Sequence, residues 1–262
     1  MDLELEGNVA LTTASTSGLG RASALALARE GAHVVVNGRD TDRLADAVDE
    51  IDAAGSGRVL GVPADISTVA GIETLVERTR DEFDRLDHVV TSAGGPPSGS
   101  FVDTTDEDWY DAYDLLVMSV VRLLRAVSDD LAAGDGGSVA LVASRTVTEP
   151  ADDLVLSNAV RSAVVGLGKT LSREFAPEVR VNYVLPGAHE TARMQELARD
   201  SVERGDYESY EDALDDWAAD VPVERVGDPQ ELGDTVAYLC SPRAGYVNGE
   251  SVLIDGGASR SV

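Results

Sequence analysis

The sequence predicts an α/β protein: one doubly wound domain whose parallel sheet of about seven strands carries helices on both faces. Three observations lead there. Short apolar runs alternate with amphipathic stretches along all 262 residues. The runs are apolar throughout, as strands covered on both faces must be. A glycine-rich turn, "TASTSGLGRAS" (13–23), separates the first run from the first amphipathic stretch, which places a ligand site beyond the C-terminal ends of the strands.

The elements follow in order. "NVALTT" (8–13) reads as a buried strand, and "LGRASALALAREG" (19–31) as a helix stopped by Gly31. "HVVVN" (33–37) is a second strand, "DRLADAVDEIDAAG" (42–55) a helix, and "RVLGVPAD" (58–65) a third strand. A helix over about 67–84 leads to "DHVVTSAGG" (87–95), a strand running into a glycine loop. One long helix is expected over about 106–133, behind the start signal "DTTDED". "SVALVAS" (138–144) is a strand, 155–175 a helix, and "VRVNYVLPG" (179–187) a strand ending at Pro-Gly. "DPQELGDTVAYLC" (228–240) reads as a helix and "SVLIDGG" (251–257) as the last strand. No repeat or low-complexity linker divides the chain, so residues 1–262 are read as one domain.

Charge narrows the function classes. The chain has 48 Asp+Glu against 21 Lys+Arg, a net charge of -27. Lys169 is its only lysine, and the acids are spread over the whole length. Such a surface fits a protein of high-salt surroundings, where ions screen self-repulsion. It offers no basic patch for nucleic acid. Cys240 stands alone, so no internal disulfide or cysteine metal cluster is expected, and His33, His88 and His189 lack ligand spacing. The acidic start "MDLELEGNVAL" does not look like a signal peptide, and no stretch approaches a membrane span. A cytoplasmic location is expected.

The glycine turn is where a helix N-terminus offers N–H groups to a pyrophosphate, with Gly18 and Gly20 allowing close approach. This stretch resembles the TGxxxGxG loop of the short-chain dehydrogenase/reductase family, with Thr13 as its Thr and Ala14 at its first Gly. Further likenesses run over about residues 5–258: Asp65 in "ADIS", "SAGG" (92–95) for NAG with Ser92 for Asn, "PGAHET" (186–191) for PGxxxT, then "PVERVGDPQELGDTVAYL" and "NGESVLIDGG". The resemblance implies a Rossmann-type fold that binds a nicotinamide cofactor. The residues it implicates are Thr13, Ser15, Ser17, Gly18, Leu19, Gly20, Arg39, Asp65, Ile66, Ser92, Ala93, Gly94, Arg161, Pro186, Gly187 and Thr191. At the end of the second strand, where an acidic residue signals NAD, stand Asn37 and Gly38, followed by Arg39. An arginine suits a 2′-phosphate, so NADP(H) is favoured over NAD(H). A bland alternative leaves Arg39 in solvent, paired with Asp40.

The catalytic positions depart from the family pattern. Anchoring on "SAVVGL" (162–167) puts Arg161 at the family's Lys, Ser157 at its Tyr, Ser144 at its Ser and Leu116 at its Asn. In the family the Tyr hydroxyl transfers the proton while a nearby Lys lowers its pKa. Serine is shorter and has no comparably accessible pKa, and arginine stays charged. Catalysis is therefore assigned to Ser144, Ser157 and Arg161 with an altered proton path, and Leu116 to the core. Tyr110, Tyr113, Arg145, His189 and Glu190 are candidate substitutes, His189 being expected in solvent as a loop residue. Residues 188–221 lie where family members carry a substrate lid, which Trp217 is expected to pack down.

The leading reading is an oxidoreductase moving hydride between NADP(H) and a small carbonyl or hydroxyl compound. The alternatives are a lyase resembling halohydrin dehalogenases and a nucleotide-binding non-enzyme. The resemblance also implies a homodimer or homotetramer built on helices 106–133 and 155–175 and the last strand.

Overall fold

In the computed structural model, which describes residues 1–134 and 136–260, seven parallel strands form a sheet of order β3-β2-β1-β4-β5-β6-β7. They are β1 (Val9–Thr12), β2 (His33–Gly38), β3 (Val59–Pro63), β4 (His88–Thr91), β5 (Gly137–Val142), β6 (Val179–Pro186) and β7 (Ser251–Ile254). Parallel strands need crossovers, and the amphipathic stretches supply them. In β1, Val9 and Leu11 join one hydrophobic layer and Ala10 the other; in β2, Val35 and its neighbours Val34 and Val36 divide in the same way. The period of two explains why the runs are apolar at every position.

On one face pack α1 (Gly18–Arg29), α2 (Thr41–Ala54) and α9 (Pro229–Cys240), through Leu27, Ile51 and Val236. The other face holds α3 (Val69–Glu82), α4 (Asp106–Tyr113), α5 (Ser119–Ala132) and α6 (Val155–Glu174), through Leu75, Ala112, Leu123 and Val160. Two further helices, α7 (Ala192–Arg204) and α8 (Tyr210–Ala218), lie between β6 and α9 in sequence and pack on each other.

The expected long helix 106–133 is interrupted. Residues Asp114–Met118 form a wide π turn between α4 and α5. Within it the Ser119 hydroxyl donates to the Leu115 carbonyl at 2.5 Å, and Arg122 reaches back to Asp114 at 2.7 Å. Such turns keep the apolar stripe on the core while shifting its register, and the stripe alone does not reveal them. Leu116 is buried here, as expected.

Beneath the sheet, at the N-terminal ends of the strands, lies a buried polar network. His88 is 2% exposed, with Nε2 3.0 Å from the Asn8 amide and Nδ1 2.9 Å from the Ser138 hydroxyl. Desolvation pushes its pKa down to about 4 against the pull of Asp87, so the ring is neutral. Arg180 donates to the carbonyls of Leu239, Cys240 and Ser241. Cys240 is a buried free thiol whose pKa desolvation raises to about 11. Among the described residues no group of three or more His, Cys, Asp or Glu is placed to hold a metal, and no helix is long and apolar enough to cross a membrane.

Candidate functional site

The chain order of the sheet reverses beside β1: β2 and β3 extend one way, then β4 returns on the other side. A crevice opens at such a switch point because the loops leaving the two strands diverge. Here it is a cleft of about 770 Å³.

Its floor is set by the loop from β1 to α1. The Thr13 hydroxyl donates to the Ser92 carbonyl at 2.7 Å and accepts from the Ser92 N–H at 2.9 Å, tying the loop to the end of β4. Ser15 is fully buried; its hydroxyl donates to the Thr12 carbonyl and accepts from the Asn37 N–H. The Asn37 amide is consumed as well: its oxygen accepts from Ala14 N–H, and its nitrogen donates to Val62 and Ala64. Ala14 holds φ +45, a left-handed conformation that usually favours glycine. Gly18 turns at φ +57 into α1, and a Cβ on Gly20 would lie 2.5 Å from the Ala14 carbonyl oxygen. Ser17 is the N-cap of α1 but makes no side-chain cap bond, and the first turn holds no acidic residue. The helix end is therefore left to an anion.

Of the residues singled out in the sequence, Ser17, Gly18, Leu19, Arg39, Asp65, Ile66, Ser92, Ala93, Gly94, Ser144, Ser157, Arg161, Pro186, Gly187 and Thr191 line this one cleft. Thr13, Ser15 and Gly20 do not. They lie behind the loop and shape it, because their hydroxyls and close backbone contacts are already spent on protein. Thr16, Arg43, Gly95, Leu115, Met194 and Ala188 also line it, without having been singled out. Arg43 had a signal, four residues beyond Arg39 at the start of an amphipathic helix. The others depend on how loops fold together.

At one end, Arg39 and Arg43 share the wall with Asp65. Asp40 does not pair with Arg39: its carboxylate caps α2, accepting from the Asp42 and Arg43 N–H groups at 3.0 Å. The Arg39 side chain is 79% exposed and 4.0 Å from Asp65. Desolvation works to raise the Asp65 pKa, but hydrogen bonds from the Ser67 hydroxyl and N–H, aided by Arg39, hold it below the usual carboxylate range. At the other end stand Ser144, Ser157 and Arg161. The Ser144 oxygen accepts from Thr146 N–H at 3.2 Å, and its own proton has no acceptor among the described residues. Ser157 lies in the first turn of α6, and its hydroxyl has no hydrogen-bond partner among the described residues. One helical turn on, Arg161 donates to the carbonyls of Ala143, Val142 and Gly94 at 3.2, 3.4 and 3.4 Å. Desolvation pushes its pKa down to about 10, so it stays cationic at neutral pH.

The further proton-transfer candidates named from the sequence separate. Tyr110 and Tyr113 are exposed and off the cleft, and Arg145 lies beside Glu149 at 4.0 Å without lining it. His189 is not in solvent: it is 5% exposed, because its loop pairs with Gly227 and its Nδ1 sits 3.2 Å from the Gly187 carbonyl. It lines the cleft, as does half-buried Trp217 of α8. Thr191 caps α7 and sits 3.4 Å from where a Gly18 Cβ would be, so the root of 188–221 rests on the glycine turn. The Tyr210 hydroxyl donates to Glu190 at 2.6 Å, fastening α8 to the same loop; desolvation and that bond raise its pKa to about 12.

Sheet order and cleft already define a class, the doubly wound proteins that hold an elongated ligand across the switch point. Known proteins narrow it. A family model described as enoyl-(acyl carrier protein) reductase matches residues 13–259. Dehydrogenase/reductase SDR family member 4 of Homo sapiens is 33% identical over 255 residues, covering 97% of this chain and 88% of its own. Tropinone reductase-like 3 of Erythroxylum coca is 33% identical, covering 96% and 93%. L-sorbose reductase from Gluconobacter frateurii, solved with NADPH and L-sorbose, superposes with a TM-score of 0.96 at 32% identity over the full length of both chains. The chain belongs to the short-chain dehydrogenase/reductase family.

Proposed function

We propose that this chain is a short-chain oxidoreductase that moves hydride between NADP(H) and a small carbonyl or hydroxyl compound, with an altered proton path. One observation carries the reading. In a chain of net charge -27, the charged residues lining the cleft among the described residues are Arg39, Arg43, Arg161 and a single carboxylate, Asp65. A wall of that sign, against such a background, suits a polyanionic ligand. The uncapped start of α1 and the crowded Gly20 fit a pyrophosphate there. Arg39 and Arg43 would hold a 2′-phosphate, and Asp65 and Ile66 would flank the adenine.

When bound, the cofactor supplies or accepts the hydride. The chain supplies the rest. Ser144 donates to the substrate oxygen. Arg161 favours negative charge in that corner. At the family's tyrosine position, Ser157 orients a water through which the proton passes, since a serine hydroxyl is itself a weak acid and base. The segment 188–221 closes over the substrate end as a lid, with Trp217 facing it. The lyase reading finds no support in a cleft so well suited to a nucleotide, and the non-enzyme reading rests on Ser157 alone.

The same reading makes the protein cytoplasmic, salt-adapted and a homodimer or homotetramer. Phe101, Val102, Tyr110 and Tyr113, apolar and exposed beside or on α4, support the assembly. Titration with NADPH and with NADH at high KCl, followed by nicotinamide fluorescence, tests the core of the proposal. Saturable binding, tighter for NADPH, is expected; a folded protein that binds neither overturns it.

A further inference from the structure

We infer that the reacting end of the cleft is a carboxylate site, and that the substrate is a small oxo or hydroxy acid whose carboxylate is held by Arg161. This deepens the oxidoreductase reading and rests on it for the reaction, though not for the anion.

The argument starts from pairing. Acids outnumber bases by more than two to one, and Arg21, Arg58, Arg80, Arg122, Arg225 and Arg243 each lie within 3.0 Å of a carboxylate oxygen. Arg161 has no carboxylate within 4.0 Å among the described residues. Its three carbonyl contacts, at 3.2 to 3.4 Å, are longer than the usual 2.9–3.0 Å and use at most three of five N–H donors. A half-buried guanidinium on the cleft wall, with donors to spare, is placed to take a ligand there.

Its neighbours fit an anion with a reactive oxygen beside it. Among the described residues the hydroxyl proton of Ser144 has no acceptor and the Ser157 hydroxyl has no partner. Ser157 stands in the first turn of α6, whose N-cap, Leu154, gives no side-chain acceptor. One cation matches a monoanion and leaves the two hydroxyls for the reacting oxygen and its water; a phosphate dianion is better met by two arginines, as at Arg39 and Arg43. Leu115, Met194 and Trp217 also line the cleft, which gives the rest of the acid apolar surface to meet.

Calorimetric titrations in the presence of NADP+ test the inference, with acetate, pyruvate and phenylpyruvate as probes and methyl pyruvate as the neutral counterpart of pyruvate. Oxidised cofactor and oxo acid together form a complex that does not turn over. Pyruvate or phenylpyruvate should bind more tightly than the ester. Arg161→Gln should weaken the acid at least tenfold and leave the ester within about twofold, and Arg161→Lys should restore part of the loss. Thermal melts of the variants establish that they are folded. Equal loss for acid and ester, or no Arg161-dependent binding of any of the three carboxylates, overturns the inference. Repeating the titrations without cofactor separates the two proposals. Carboxylate binding that persists in a protein unable to bind NADPH sinks the oxidoreductase alone, whereas NADPH binding without carboxylate selectivity sinks only this inference.

Discussion

The Thr13 side chain and the Ser92 backbone hold each other from both sides: the hydroxyl donates to the Ser92 carbonyl at 2.7 Å and accepts from its N–H at 2.9 Å. This pair joins the loop after β1 to the end of β4, across the point where the sheet reverses order. Both backbone groups are buried, so losing the hydroxyl leaves a donor and an acceptor unmet. Thr13→Ala should lower stability by about 1–3 kcal/mol and weaken nucleotide binding, while Thr13→Ser should retain both bonds. Urea denaturation of the three proteins checks it; equal stability of Thr13→Ala and wild type would refute it.

Gly20 provides a steric test of the same loop. Its missing Cβ makes room for the Ala14 carbonyl oxygen, which would lie 2.5 Å away. Gly20→Ala should push the turn outward, costing about 1–3 kcal/mol of stability as overpacking does, and should reduce NADPH affinity. Fluorescence titration and a thermal melt measure both.

Arg39 is expected to discriminate between cofactors. It is exposed and weakly held by Asp65, so removing it leaves no buried partner stranded. Arg39→Ala should lower NADPH affinity roughly tenfold to a hundredfold, the loss of one charge-assisted contact, and leave NADH nearly unchanged. A parallel loss for both cofactors would place the 2′-phosphate elsewhere.

His88 gives a pH signature away from the cleft. Its folded-state pKa, about 4, lies below the unfolded value near 6.5. Between these values the unfolded chain binds a proton that the folded one refuses, so stability rises with pH through this window. The full contribution is present above about pH 6.5 and is lost as pH falls toward 4, a change of about 3 kcal/mol. His88→Gln should flatten that part of the curve of stability against pH. The comparison with wild type isolates the histidine from the many surface carboxylates.

The acidic surface predicts salt dependence. With a net charge of -27, the folded protein should gain thermal stability as KCl rises to molar levels. A melting temperature indifferent to salt would show that the acids are balanced locally.

Much of the fold was legible in the chain. Each apolar run became a strand and the glycine turn fell where the first crossover begins, because strands buried on both faces and amphipathic helices leave distinct periodicities. The π turn at Asp114–Met118 was not legible, since inserting one residue into a helix changes its register without changing its composition. His189 misled as a loop residue: its burial depends on Gly227, 38 residues on, pairing with its loop.

The sequence by itself determined the doubly wound architecture and the glycine loop. These follow from local periodicity, backbone freedom and side-chain identity. Only the tertiary structure decided which hydroxyls face the cleft and which are spent behind it, that Asp40 caps a helix and leaves Arg39 exposed, and that Arg161 has no carboxylate within 4.0 Å among the described residues. Those outcomes depend on distances between segments far apart in sequence, and hydrogen bonds and ion pairs are settled by distance.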